Sequence, residues 1–212
     1  MSEITPAILA QMFRDIAAAM AAAKGELCEL DGVIGDADHG IAMDLGFAAV
    51  ARALDGIDPA ASDPSAIFNT AAKSFLNAVG ASSGPLYATA FMRAGAAAKG
   101  KPVLGDDDVC ACFIAMAKGI QDRGKAEPGE KTMIDAWAPA ARAMEEARAA
   151  GASLPDALDR AVAAAAAGAE ATRAMVATKG RSARLGERSL GHMDPGAASA
   201  VIMIRSMARA LG

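Results

Sequence analysis

Three aspartates fall within one short run, Asp31-Gly32-Val33-Ile34-Gly35-Asp36-Ala37-Asp38-His39-Gly40. Clustered carboxylates repel one another, so such a group calls for a compensating cation. Hard oxygen donors in this number suit Mg²⁺, which combines a few carboxylates with waters and substrate phosphates. Gly35 and Gly40 let the backbone bend tightly around an ion. A lone Asp-x-Asp is also what an ordinary polar turn with a helix-capping aspartate looks like. An EF-hand fits poorly, because the twelfth position counted from Asp36 is Phe47 rather than Glu. Zinc fits worse, since His39 and His192 are the only histidines.

Three further loops are dense in polar groups. Gly80-Ala81-Ser82-Ser83-Gly84-Pro85-Leu86-Tyr87 runs into a predicted helix, where exposed amides, hydroxyls and the helix N-terminus together favour an anion. Residues 124–133 end in Gly129-Glu130-Lys131-Thr132-Met133, a mix of glycine, charge and a soft methionine able to pack on a purine. Residues 179–188 carry Lys179, Arg181, Arg184 and Arg188, followed by the tight turn Gly191-His192-Met193-Asp194-Pro195-Gly196. Arginines here would grip phosphate. Taken singly, these are a helix cap and a solvated basic face. Taken together with the aspartates, they describe a phosphate-handling site in a chain lacking the Walker A, G-x-G-x-x-G and H-R-D motifs.

The elements that must hold these loops read as helices throughout. The chain has 212 residues, 53% hydrophobic but only 4% aromatic, so its core must be built from Ala, Leu, Ile, Val and Met. Helical segments are expected over 5–25, 39–54, 63–80, 83–100, 106–121, 132–150, 154–178 and 194–212, and no strand. Thr5-Pro6, Asp63-Pro64 and Asp194-Pro195 are helix starts, each a capping residue followed by proline. No linker separates domains, so residues 1–212 are expected to form one domain, all-α. A net charge of -4 argues against a nucleic-acid surface. No stretch is long and apolar enough for a membrane span, and Cys28, Cys110 and Cys112 form no paired framework, which points to a cytoplasmic location.

Four segments resemble one family: Gly-Asp-Ala-Asp-His-Gly at 35–40, Gly-Ala-Ser-Ser-Gly-Pro-Leu-Tyr at 80–87, the run from Arg123 to Met133, and the long run from Lys179 to Ala197. They are similar, in order, to the L subunits of dihydroxyacetone kinases. That resemblance implies eight antiparallel helices arranged as a barrel or bundle, with a nucleotide among the loops at one end. It implies ADP or ATP as cofactor and two Mg²⁺ held by Asp31, Asp36 and Asp38. It places nucleotide contacts at His39, Gly40, Ile41, Ala42, Ser82, Ser83, Gly124, Met133, Arg181, Asp194, Pro195 and Gly196. The partners it implies are a K-type subunit presenting the ketose, an M-type phosphotransferase-system subunit that rephosphorylates bound ADP, and a transcriptional regulator. Ala37 stands where glycine is also familiar, and Ala88-Thr89-Ala90 follows Tyr87 where glycine would not surprise; neither replaces a ligand. Alternatives are a kinase drawing on free ATP to phosphorylate a related ketose such as erythrulose, a nucleotide-sensing module, and phosphohistidine chemistry at His39 or His192.

Overall fold

The computed structural model describes residues 3–80 and 83–212. Its eight α-helices are α1 Pro6–Ile34, α2 His39–Asp55, α3 Pro64–Ala78, α4 Ser83–Ala97, α5 Asp106–Gly124, α6 Ile134–Ala149, α7 Leu154–Ala171 and α8 Pro195–Leu211. Shorter 3-10 turns cover Pro59–Ala61, Thr172–Ala174 and Ser182–Ser189. Among the described residues extended pairing is limited to one bridge, Ile4 with Leu104.

The starts follow from capping chemistry. Thr5, Asp63, Ser153 and Asp194 each accept a hydrogen bond from a backbone amide of the first turn, and each is followed at once or one residue later by proline. Asp106, Asp107 and Asp108 fill the first turn of α5, where the helix dipole favours acidic groups.

Two ends differ from the sequence expectation. Helix α1 runs through Gly25 to Ile34, so Asp31 belongs to the last helical turn rather than to a loop. Gly25 keeps helical backbone rather than turning left-handed, and Glu26, Leu27 and Cys28 continue as ordinary helical residues. Helix α7 stops at Ala171, and 175–181 is irregular apart from a turn at its end.

Each helix packs on its sequence neighbour, and α8 closes back onto α1. The buried residues form one apolar cluster to which all eight helices contribute. Phe13, Phe47, Phe75, Tyr87 and Phe91 meet largely edge-on in it, the arrangement aromatic quadrupoles favour. Elsewhere the interior mixes alanine with leucine, isoleucine, methionine and valine, and the alanines let helix axes approach. At Gly46 a Cβ would overlap the Phe75 ring, and at Gly168 it would overlap the Asp135 carbonyl.

Candidate functional site

The α1–α2, α3–α4, α5–α6 and α7–α8 connections all reach one cavity of about 620 Å³. Because these are the odd-to-even connections, successive helices run in alternate directions and the cavity lies at one end of them.

Asp31 comes from the end of α1, while Asp36 and Asp38 come from the connection to α2. One oxygen from each lies within 4.8 Å of the others. Asp31 is buried, and its Oδ2 accepts from the backbone amides of Asp38 at 2.9 Å and His39 at 3.2 Å. It thus caps α2 from another helix, and Asp38, the N-cap residue, makes no side-chain cap of its own. The Asp38 carboxylate is thereby left facing the cavity. A side chain at Gly35 would overlap Asp31 Oδ1, so glycine here keeps the carboxylate in place. The turn is tight enough to hold Ala37 at φ 62°.

Among the described residues, one cation pairs with this group. The Arg181 guanidinium pairs with Asp36 and lies 3.3 Å from Asp38. Three carboxylates against one arginine leave an excess of negative charge and several unused oxygen lone pairs. That donor set, all hard oxygen and half-exposed apart from Asp31, fits a divalent cation of the magnesium type.

His39 Nε2 lies 2.8 Å from Ser199 Oγ. The Ser199 hydroxyl donates to the Gly196 carbonyl at 3.0 Å, so its proton is spent and the imidazole Nε2–H is the donor to it. Burial pushes the His39 pKa down, and the nearby Asp31 carboxylate only partly opposes this. The ring is therefore neutral at pH 7.

The remaining walls carry other chemistry. Asp194 caps α8 by accepting from Ala197 N at 2.8 Å. Burial pushes its carboxyl up to about 7, against the pull of that bond and of Lys131. Pro195 and Gly196 bring the start of α8 to the cavity, and Gly80 and Ser83 bring the start of α4. Ile41 and Leu45 of α2, with Leu86, Ile120 and Met133, add apolar lining; Ile41 and Leu45 remain 44% and 53% exposed.

The structure thus gathers Asp31, Asp36, Asp38, His39, Ile41, Ala42, Ser83, Gly124, Met133, Arg181, Asp194, Pro195 and Gly196 around one space. Gly40 is not among its lining residues: it sits against α1, where a Cβ would overlap the Lys24 carbonyl and crowd Cys28. Ser82 lies outside the described residues. Of the apolar lining the sequence reading named Ile41 and Met133 but not Leu45, Leu86 and Ile120, which sit at helical positions indistinguishable from core. It also passed over Lys131, whose side chain is buried at the cavity edge.

These features define a class: an all-helical protein whose alternate connections enclose a cavity with a carboxylate cluster on one wall and helix starts on another. Residues 33–209 match the family model of the DAK2 domain, and the chain belongs to that family. It is 41% identical over 184 residues, 87% of each chain, to the ADP-binding subunit DhaL of the PEP-dependent dihydroxyacetone kinase of Escherichia coli (strain K12). It is 37% identical over 184 residues to the ADP-binding subunit DhaL of the PTS-dependent dihydroxyacetone kinase of Lactococcus lactis subsp. lactis (strain IL1403), covering 87% of this chain and 86% of that one. Its fold matches the crystal structure of the dihydroxyacetone kinase from C. freundii in complex with AMP-PNP and Mg²⁺, with a TM-score of 0.75 and 25% identity. That match covers 99% of this chain and 35% of the larger kinase.

Proposed function

We propose that the chain is the nucleotide-carrying phosphotransfer subunit of a dihydroxyacetone kinase, acting in the cytoplasm as one unit over residues 1–212. The cavity holds ADP or ATP with two Mg²⁺. The phosphoryl group passes to dihydroxyacetone on a K-type partner, and an M-type phosphotransferase-system partner rephosphorylates the ADP in place. The observation that carries this reading is the aspartate cluster and two helix starts lining one cavity. The similarity to ADP-binding subunits along most of both chains supports it. Free Cys28, Cys110 and Cys112 accord with a reducing compartment.

Bound metal would neutralise the nucleotide phosphates, and the nucleotide would supply the transferable phosphoryl group. The chain's own residues bind and orient. Asp31, Asp36 and Asp38 are the metal ligands, and the bonds from Asp38 N and His39 N fix Asp31 in advance. Arg181 supplies a forked donor for phosphate oxygens, and the starts of α4 and α8 add oriented amides. Ile41, Leu45 and Met133 give a base an apolar face and keep water from it. Positioning and charge compensation of this kind account for much of the acceleration in phosphoryl transfer. No side chain here is assigned as the base for the ketose hydroxyl; that group belongs to the K-type partner. A transcriptional regulator would read the same face.

Extensively desalted protein should release near-stoichiometric ADP on denaturation, and EDTA treatment beforehand should strip it. Asp36→Asn should emerge without nucleotide and support no phosphorylation with matched K and M subunits. An empty wild-type protein that binds ATP weakly and reversibly would favour a free-ATP kinase. No binding at any magnesium concentration would overturn the reading.

A further inference from the structure

The side chain of Lys131 is 1% exposed, on a residue held at the left-handed φ of 60°. Such a backbone is strained for a residue with a Cβ, and it persists where the surroundings fix it. The ammonium donates to the Thr172 carbonyl at 2.5 Å and to the His192 carbonyl. These carbonyls flank the segment 172–192, which leaves the end of α7, carries Arg181, and returns to α8. Lys131 therefore ties both feet of that segment to the 125–133 loop.

A second clamp acts from the same loop. The Glu130 carboxylate accepts from the Thr178 hydroxyl at 3.1 Å and lies 3.8 Å from the Lys179 ammonium, while the Glu130 carbonyl accepts from Thr178 N at 3.4 Å. Asp135 in turn stiffens the 125–133 loop, accepting from Gly129 N at 2.5 Å and Thr132 N at 2.8 Å. The Thr172 hydroxyl accepts from Asp194 N at 2.9 Å, joining the same knot to the start of α8. Between feet and clamp, the 172–192 segment is held by bonds within itself: Ala177 N donates to Ser189 Oγ, Ser189 Oγ to the Gly186 carbonyl, Gly191 N to the Arg173 carbonyl and Arg173 to the Gly191 carbonyl. Its Ser182–Ser189 3-10 turn also contacts α1.

We propose that Lys131, with Glu130, is a positioning residue that holds the 172–192 segment so that Arg181 faces the aspartates. This rests on the nucleotide reading above and adds to it a residue pair that sets where the phosphate-facing arginine stands. The ammonium satisfies two buried carbonyls at once, which no apolar side chain does, so its loss frees the segment at both feet.

The test uses the whole chain and compares wild type with Lys131→Met, which keeps length and apolar stem. Two affinities are measured: Mn²⁺ alone, and ADP in saturating Mn²⁺. With Arg181 released, the aspartates lose a competing cation, so Mn²⁺ alone should bind about threefold to tenfold tighter. ADP should bind about tenfold weaker, since Arg181 no longer waits for its phosphates. Arg181→Ala should alter ADP affinity strongly in wild type and little in the Lys131→Met background. Opposite signs for metal and nucleotide are the signature. A general loss of structure would weaken both, and that outcome overturns the proposal, as do two unchanged affinities or a full Arg181→Ala effect in the Lys131→Met background. If Lys131→Met fails to fold, Glu130→Gln decides: the same opposite signs at severalfold size support the clamp, and wild-type values sink it. If wild type itself binds no ADP, the nucleotide reading fails, and the Mn²⁺ arm alone still tells whether Lys131 places Arg181.

Discussion

At the scale of single residues, Asp194 shows how a cap and a cavity wall impose opposing demands. As the N-cap of α8 it must accept a hydrogen bond, yet its position removes it from water, and burial lifts its carboxyl from 3.8 to about 7. A carboxyl raised in the folded state adds most stability below its unfolded value. That contribution is lost as pH climbs from about 4 to about 7, because the folded form holds a proton the unfolded form has released. Asp194→Asn retains the accepting oxygen and has no charge to desolvate. In metal-free protein its stability relative to wild type should rise by about 1–3 kcal/mol between pH 5 and pH 8, measured by urea melts. A difference that stays flat with pH would mean the carboxylate is compensated in place, with Lys131 the nearest candidate. The aspartate cluster was legible in the sequence because it stood with three other loops suited to phosphate; alone, such a run can serve a helix start, as Asp106, Asp107 and Asp108 do. Lys131 was not, because nothing in the run Gly129-Glu130-Lys131-Thr132 distinguishes a buried ammonium from an exposed one. Its burial depends on two carbonyls 41 and 61 residues away.

At the scale of elements, the helix starts were readable, and two of the helix ends were not. A start is written locally, in a capping side chain and a proline that needs no donor. An end depends on what the next turn packs against. Gly25 passes unmarked within α1, whereas the chain leaves α1 at Gly35, beneath the carboxylate of Asp31. Nothing in the sequence around Gly25 announces that outcome. Gly40 makes a related point, because its role is the approach of two helices rather than contact with a ligand. A methyl group there would overlap the Lys24 carbonyl of α1, which is rigid backbone. Gly40→Ala should therefore cost about 2–4 kcal/mol despite alanine's better helix propensity. It should also weaken divalent-cation binding, since prying α2 from α1 separates Asp38 from Asp31. Chemical denaturation and a Mn²⁺ titration on the same sample check both. Unchanged stability would mean that α2 slides to make room, and an unchanged Mn²⁺ affinity would show that the aspartates tolerate the slide.

At the scale of the whole molecule, the site and the ring of helices are one construction. Four connections, each between a different pair of helices, border the cavity together with residues of the helices they join, and α8 packs back on α1. The eight helices and their all-α packing could be anticipated from an alanine-rich, aromatic-poor composition, and so could the loops that carry polar groups. That the four polar loops share an end was expected from the resemblance rather than from composition, and the alternation of helix direction is its physical reason. A ligand that touches all four connections cannot be bound by a partly opened chain, so its binding energy adds to the stability of the entire fold. A ligand at about one hundred times its Kd stabilises by about 2.7 kcal/mol. For a chain of this size 1 kcal/mol moves Tm by roughly 2–4 °C, so Mg²⁺ with ADP should raise Tm by about 5–10 °C in a single sharpened transition. EDTA should return Tm to the ligand-free value, and ADP without divalent metal should do little, because the aspartates then repel the phosphates. Two separate transitions, with only the later one shifted, would instead assign the walls to independently melting parts. No shift at saturating ligand would mean that the cavity binds something other than a metal–nucleotide complex.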